Sequence, residues 1–279
     1  MVLFVSEFLH GDVLNSLYNI SLTIPNFIDS TISSLFRFPL SEKGTPPSSY
    51  CPPREDNHTD NKPKFPFPVD DDDHCESPME AYRHIEPFLR HIANKLGKEP
   101  CDLEIYDPYY CDGSVKTKLS ELGFLNTRNE KTDCYKCWEC NDVPTFDVVV
   151  TNPPYSGDHM KKMMKFLSSH QSMRNKPWFV LAPQFLIKKD YFEHATEGVK
   201  PFYLVPHKRY VYAPPKGFRS KKKSDTHKKS SPFVSMWFVW GGKSQLNDEL
   251  VNEVVLTEVV LARSKSHLRD LRRKDKKKK

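Results

Sequence analysis

The stretch Thr145-Phe-Asp-Val-Val-Val-Thr151, followed at once by Asn152-Pro153-Pro154-Tyr155, constrains the fold more than any other part of this chain. A short run of β-branched residues like this one reads as a buried strand. Pro153 cannot join a sheet ladder and holds the residue before it in extended geometry, so the strand must end at Asn152. Its polar tip is then rigid. Open α/β sheets gather their functional groups at such C-terminal strand ends. The surroundings point to the same class, because segments of strand type alternate with segments of helical period from Ser77 to Trp240.

A helix is expected to start at Ser77-Pro78-Met79-Glu80, which has the form of a capping box with proline at the first helical position, and to stop at Gly97. Tyr82, Ile85, Phe88, Leu89, Ile92 and Leu96 follow helical spacing on its apolar face. Next come a strand over 103–107, a turn over 108–113, a helix over 114–122 and a strand over 124–128. Phe146 lies only sixteen positions beyond Glu130, too few for a further helix, strand and helix, so a third strand is expected to be missing or vestigial. After the tetrapeptide, Gly157-Asp158 opens a helix with Met160, Met163, Met164 and Leu167 on a core face and Lys161, Lys162 and Lys165 outside. Strands over 178–182, 202–205 and 234–240 and a helix over 188–195 complete the pattern.

The chemistry of the tetrapeptide is specific. The side-chain oxygen of Asn152 and the carbonyl of Pro153 are two acceptors at fixed positions, and each can take one N–H of a planar amino group. Such a nitrogen is inert while its lone pair is delocalised, and two acceptors pull it toward a tetrahedral shape. Pro154 stiffens the presentation, and Tyr155 offers a flat ring for stacking. Asn-Pro and Pro-Pro are also common turn formers, so only the strand ahead of them separates a site from an ordinary turn.

Residues 149–155, Val-Val-Thr-Asn-Pro-Pro-Tyr, resemble the catalytic motif of class I S-adenosylmethionine-dependent amino-methyltransferases, which include N6-adenine and protein glutamine methyltransferases. The resemblance extends over 77–241 and implies a Rossmann-like, mostly parallel sheet with an antiparallel last strand. It implies catalytic roles for Asn152, Pro153, Pro154 and Tyr155. The cofactor half of the family's site runs Asp-Pro-Phe-x-Gly-x-Gly, which here reads Asp107-Pro108-Tyr109-Tyr110-Cys111-Asp112-Gly113. Cys111 stands where the first glycine belongs, a departure that opens the reading of a nucleic-acid-binding protein descended from an enzyme. By the same resemblance Asn129 or Glu130 would meet the cofactor's ribose, and Asp133 its adenine amino group.

Charge is unevenly placed. Residues 214–231 hold seven Lys/Arg against one acid and residues 263–279 hold ten against two, so a chain of net charge +6 leaves −8 for the rest. This is how a polyanion-binding footprint is built, although lysine runs also serve solubility or nuclear targeting. His207, Lys208, Arg209, Tyr210 and Tyr212 interleave aromatic and basic groups in the manner of single-strand binders, and they lead into the basic segment with Lys216, Arg219, Lys221, Lys222 and Lys223. The expected domain plan is a low-complexity, largely disordered region over 1–75 with room for local helix in 1–40, a methyltransferase domain over 76–262 as the resemblance implies, and a basic tail over 263–279.

Seven cysteines, an odd number, with no signal peptide in view point to a reducing, intracellular compartment, nuclear or cytoplasmic. No segment is apolar enough to span a bilayer, and Glu7, Asp12 and Asp29 argue against a transit peptide. Cys134-x-x-Cys137-x-x-Cys140 has thiolate spacing suited to zinc, with Cys111 the only nearby fourth ligand; ordinary reduced thiols are the preferred reading, and no metal is expected. The expected function is methylation of an exocyclic amino group of a nucleic-acid base by S-adenosylmethionine, adenine N6 first and RNA favoured over DNA. A protein glutamine side chain offers the same planar amine and is the second expectation.

Overall fold

A computed structural model describes residues 65–67, 75–212 and 234–277. Chain order is α1 (Met79–Lys95), β1 (Ile105–Tyr106), α2 (Ser114–Glu121), β2 (Thr127–Arg128), α3 (Cys134–Glu139), β3 (Val148–Thr151) and α4 (His159–Ser169). Then follow β4 (Trp178–Pro183), α5 (Asp190–Ala195), β5 (Phe202–Pro206), β6 (Ser235–Trp240), α6 (Ser244–Glu253), β7 (Val259–Ala262) and α7 (Lys265–Lys277).

The strands form one mixed sheet in the order β2-β1-β3-β4-β6-β5-β7. β2, β1, β3 and β4 are mutually parallel, with Ile105 opposite Val148 and Thr151 opposite Val180. β6 runs antiparallel to both β4 and β5, so β5 points the same way as β3. Its C-terminal end therefore lies on the same rim as Asn152. The protein is an α/β structure of Rossmann-like type, as the alternation of elements implied. No strand occurs between β2 and β3, where α3 takes the short connection.

The expectation for the last strand needs correction. The strand over 234–240 is antiparallel but does not close the sheet: it inserts between β4 and β5, and β7 adds a further antiparallel edge on β5. β7 comes from Val259-Val260-Leu261-Ala262, a short β-branched run whose pairing partner is far away in sequence.

Strand residues alternate between two cores, as the two-residue period of a strand demands. One face carries Val148, Val150, Phe179, Leu181, Trp237 and Val239 against α1, α2 and α6. The other carries Val149, Val180, Ala182, Met236 and Phe238 against α3, α4, α5 and α7. Tyr82, Ile85, Phe88, Leu89 and Ile92 of α1 are buried as their spacing implies, each contributing about 1.5–3 kcal/mol of transfer free energy before ordering costs. Leu96 instead is exposed, being past the last full turn. Gly97 ends the helix with φ +67°, and Lys98 N donates to Ala93 O at 2.9 Å.

The capping box does not form. Pro78, not Ser77, occupies the N-cap and has no side-chain acceptor to offer, while Ser77 is buried with its carbonyl accepting from Lys118 Nζ at 2.6 Å. Nor is all of 263–279 a featureless tail, because Lys265–Lys277 is helical and buries Leu268. Among the described residues no helix is long and apolar enough to cross a membrane.

Candidate functional site

β3 is buried at all four positions and delivers Asn152, half-buried, to the C-terminal rim of the sheet. Pro153 is buried beneath it, and Pro154 and Tyr155 are half-buried. The Tyr155 hydroxyl donates to Asn152 Oδ1 at 2.8 Å. Its oxygen lies 3.2 Å from the Tyr212 hydroxyl, which in turn lies 2.6 Å from Ser235 Oγ. A carboxamide oxygen can only accept, so Tyr155 spends its proton on Asn152, Tyr212 donates to Tyr155, and Ser235 donates to Tyr212. This directional relay orients the Asn152 carboxamide. One lone pair of Oδ1 is left for another donor.

Burial, then the Tyr212 hydroxyl beside it, holds Tyr155 well above the ordinary phenol range, so the donor proton stays in place. The role assigned to the Tyr155 ring changes accordingly. The ring packs against the core face that holds α4, and its hydroxyl positions Asn152. Tyr212, expected from sequence as a platform for a nucleic-acid base, is instead buried beyond β5 as part of this relay, and Ser235, which no sequence signal picked out, is placed by the pairing of β6 with β4.

The second half of the site begins where β1 ends. Asp107 is buried, and its Oδ1 accepts from Thr151 Oγ1 at 2.6 Å and from Tyr109 N at 3.2 Å. Burial pushes its carboxyl up to about 7 against the lowering effect of those two bonds, with Glu76 adding to the rise. Asn129, at the end of β2, is 1% exposed and donates from Nδ2 to Asp107 O (3.0 Å) and Tyr109 O (3.2 Å). Its Oδ1 is buried without a hydrogen-bond partner among the described residues. An orphaned buried acceptor costs about 1–3 kcal/mol unless a donor arrives.

Glu130 does not share that position. It is exposed and paired with Lys116 at 2.9 Å, because one residue beyond the buried Asn129 the side chain turns outward. Asp133 is likewise committed elsewhere: its Oδ1 caps α3, accepting from Tyr135 N (3.1 Å) and Lys136 N (3.4 Å). Tyr109 is half-buried, its hydroxyl 3.2 Å from the Tyr135 hydroxyl and donating to His159 O at 3.4 Å. Tyr135 and His159 Nδ1 are 2.5 Å apart, joining α3 to the start of α4.

Gly113 has φ +77°, and a Cβ there would lie 3.2 Å from the Tyr110 ring, so the turn into α2 requires glycine. Glu76 braces the same turn, accepting from Asp112 N at 2.9 Å, from Ser114 Oγ, and from Lys118 Nζ at 3.3 Å. Cys111 is half-buried, and burial followed by the Glu76 carboxylate pushes its thiol up, keeping it neutral. Cys134 is buried, Cys137 half-buried and Cys140 exposed, and among the described residues no three His, Cys, Asp or Glu converge in a way that could hold a metal ion.

Of the basic segment, Lys208 and Arg209 are exposed beyond β5. Tyr210 is not a stacking platform. It is 1% exposed, with its hydroxyl 2.6 Å from His84 Nδ1 on α1, and the rings lie 5.5 Å apart. Lys216, Arg219, Lys221, Lys222 and Lys223 lie outside the described residues. The flanks of that segment are both at the site, since Tyr212 touches Tyr155 and Gln184 N donates to Val234 O at 2.9 Å. No known protein family matches the chain, and no curated protein sequence does either.

Proposed function

We propose that this chain is a class I methyltransferase that uses S-adenosylmethionine to methylate an exocyclic amino nitrogen of a nucleic-acid base, adenine N6 first. The observation that carries the reading is the Asn152 carboxamide, held at the sheet rim by the Tyr155 hydroxyl at 2.8 Å with one acceptor site to spare. That oxygen and the Pro153 carbonyl would each take one N–H of the target, drawing its lone pair out of conjugation. Tyr155, Tyr212 and Ser235 keep the carboxamide aimed and lower the cost of reorganisation at the moment of reaction.

The residues present fit the cofactor. The orphaned Asn129 Oδ1 offers an acceptor for a ribose hydroxyl, the buried Asp107 carboxyl offers an oxygen acceptor for an ammonium group, whose charge would favour its ionisation, and Tyr109 to Gly113 form the adjoining turn. When bound, S-adenosylmethionine supplies a methyl group already activated by its sulfonium. Of the two candidates for the ribose, Asn129 is the one this reading keeps, and Asp133 and Tyr210 carry structural roles instead.

One observation favours a second reading. The rings of Tyr155 and Tyr210 serve the core, which leaves fewer platforms for a base and suits the smaller carboxamide of a protein glutamine. Incubation with labelled cofactor and separate pools of RNA, DNA and protein, followed by mass spectrometry of the digests, distinguishes the two. Asn152→Ala should abolish transfer while leaving cofactor affinity by calorimetry within about twofold. Loss of both would mean that the substitution acts on folding, and unchanged transfer would remove Asn152 from the chemistry.

A further inference from the structure

The basic C-terminal helix has a definite place relative to the site. α7 follows β7, whose last residue Ala262 pairs with Tyr203 near the start of β5, so the helix starts at the rim opposite Asn152. It then runs back across the sheet face with Leu268 buried and Leu271 packed into the core. At its far end Arg272 Nη2 donates to Gln184 Oε1. Gln184 directly follows β4. Because Thr151 pairs with Val180, Gln184 stands three residues farther along than Asn152 and one strand over, roughly 11 Å away at ordinary strand spacings.

Helical geometry then sorts the cations. Leu268, Leu271 and Arg272 share the inward face, which leaves Arg269 and Arg273, one turn apart, and Lys274 exposed on the outside. Among the described residues Arg273 pairs loosely with Asp270 at 3.7 Å, where both are exposed to solvent. α7 carries seven Lys/Arg against two Asp, a net +5 within a chain of net charge +6. Such charge density next to a rim would be unfavourable by itself, and an anionic polymer would neutralise it.

We propose that the outer face of α7, through Arg269, Arg273 and Lys274, binds the phosphate backbone of the single-stranded polynucleotide whose base is offered to Asn152. This rests on the base-methylating reading above. The helix leads past the rim, so one stretch of strand can lie along it while its neighbouring nucleotide reaches the site. Arg272, tied to Gln184, orients the helix and does not bind phosphate.

The test compares two matched charge removals in the full chain. Arg269→Gln/Arg273→Gln neutralises the outer face of α7, and Lys200→Gln/Lys243→Gln neutralises two exposed lysines at the opposite rim. Binding of a labelled single-stranded oligoribonucleotide is followed by fluorescence anisotropy across a salt series. Each phosphate contact contributes about 0.7 to the slope of log affinity against log salt for single strands, so the α7 pair should lower it by about 1.4. That is about 25-fold weaker binding at 0.1 M salt if the lines meet at 1 M. The opposite-rim pair should leave slope and affinity unchanged, and both variants should keep the wild-type melting temperature.

Equal losses in both pairs would mean that only overall charge matters, and no loss in the α7 pair would mean that the helix is not in contact. Either result overturns the proposal while leaving the methylation reading intact. Absence of salt-dependent binding by the wild-type chain would overturn the polynucleotide reading as well and leave the glutamine substrate.

Discussion

Asp107 is the buried group whose titration tests the heart of the site. In the folded chain its carboxyl is pushed up to about 7, whereas in the unfolded chain it returns to 3.8. Below 3.8 both states are protonated and the native state has its full stability. Between 3.8 and 7 the unfolded chain ionises while the native one does not, so stability falls as pH rises. At about 1.4 kcal/mol for each pH unit, the loss across that window is about 4 kcal/mol. Asp107→Asn is nearly isosteric and still accepts from Thr151 Oγ1 and Tyr109 N, but cannot ionise. Urea unfolding followed by tryptophan fluorescence suits the assay, because all four tryptophans are buried. The wild type should lose about 4 kcal/mol more than the variant between about pH 4 and pH 8. Titrating groups that do not act on residue 107, such as His84, are common to both chains and cancel in the difference. Parallel curves, or a wild type that gains on the variant as pH rises, would refute the argument that burial dominates the Thr151 bond.

Two further outcomes test the corrected roles. Tyr210→Phe leaves the buried His84 Nδ1 without its partner and should cost about 1–3 kcal/mol of stability with no change in polynucleotide affinity; weaker binding at unchanged stability would put the ring back outside. Leu268→Ala opens a cavity under α7 and should cost about 2–5 kcal/mol, with hydrogen exchange showing lost protection in Lys265–Lys277. Unchanged protection there would mean that the helix is held by something other than its apolar face.

Much of the architecture was legible because its signals are local. The run before Asn152, the spacing of Tyr82 to Ile92 and the methionine stripe each fold by a period that neighbouring residues define. The missing third strand followed from chain length alone. Site roles were less legible. Asn129 and Glu130 are equally polar neighbours, yet one residue decides which turns inward, and Asp133 could meet a ligand or cap a helix with the same carboxylate. Ser77 lost its expected cap because the chain before α1 bends toward Lys118, forty-one positions away.

By itself, the sequence determined an α/β sheet with a rigid Asn-Pro-Pro-Tyr tip on a buried strand, since proline geometry and β-branching act within a few residues. Only the tertiary structure decided that Tyr155 orients Asn152, that Tyr210 belongs to the core, and that α7 reaches the rim. The reason is that these outcomes depend on partners such as Tyr212, His84 and Gln184, from 57 to 126 positions distant along the chain. Burial and hydrogen-bond completion across such separations are settled by how the sheet brings its strands together, which no local pattern encodes.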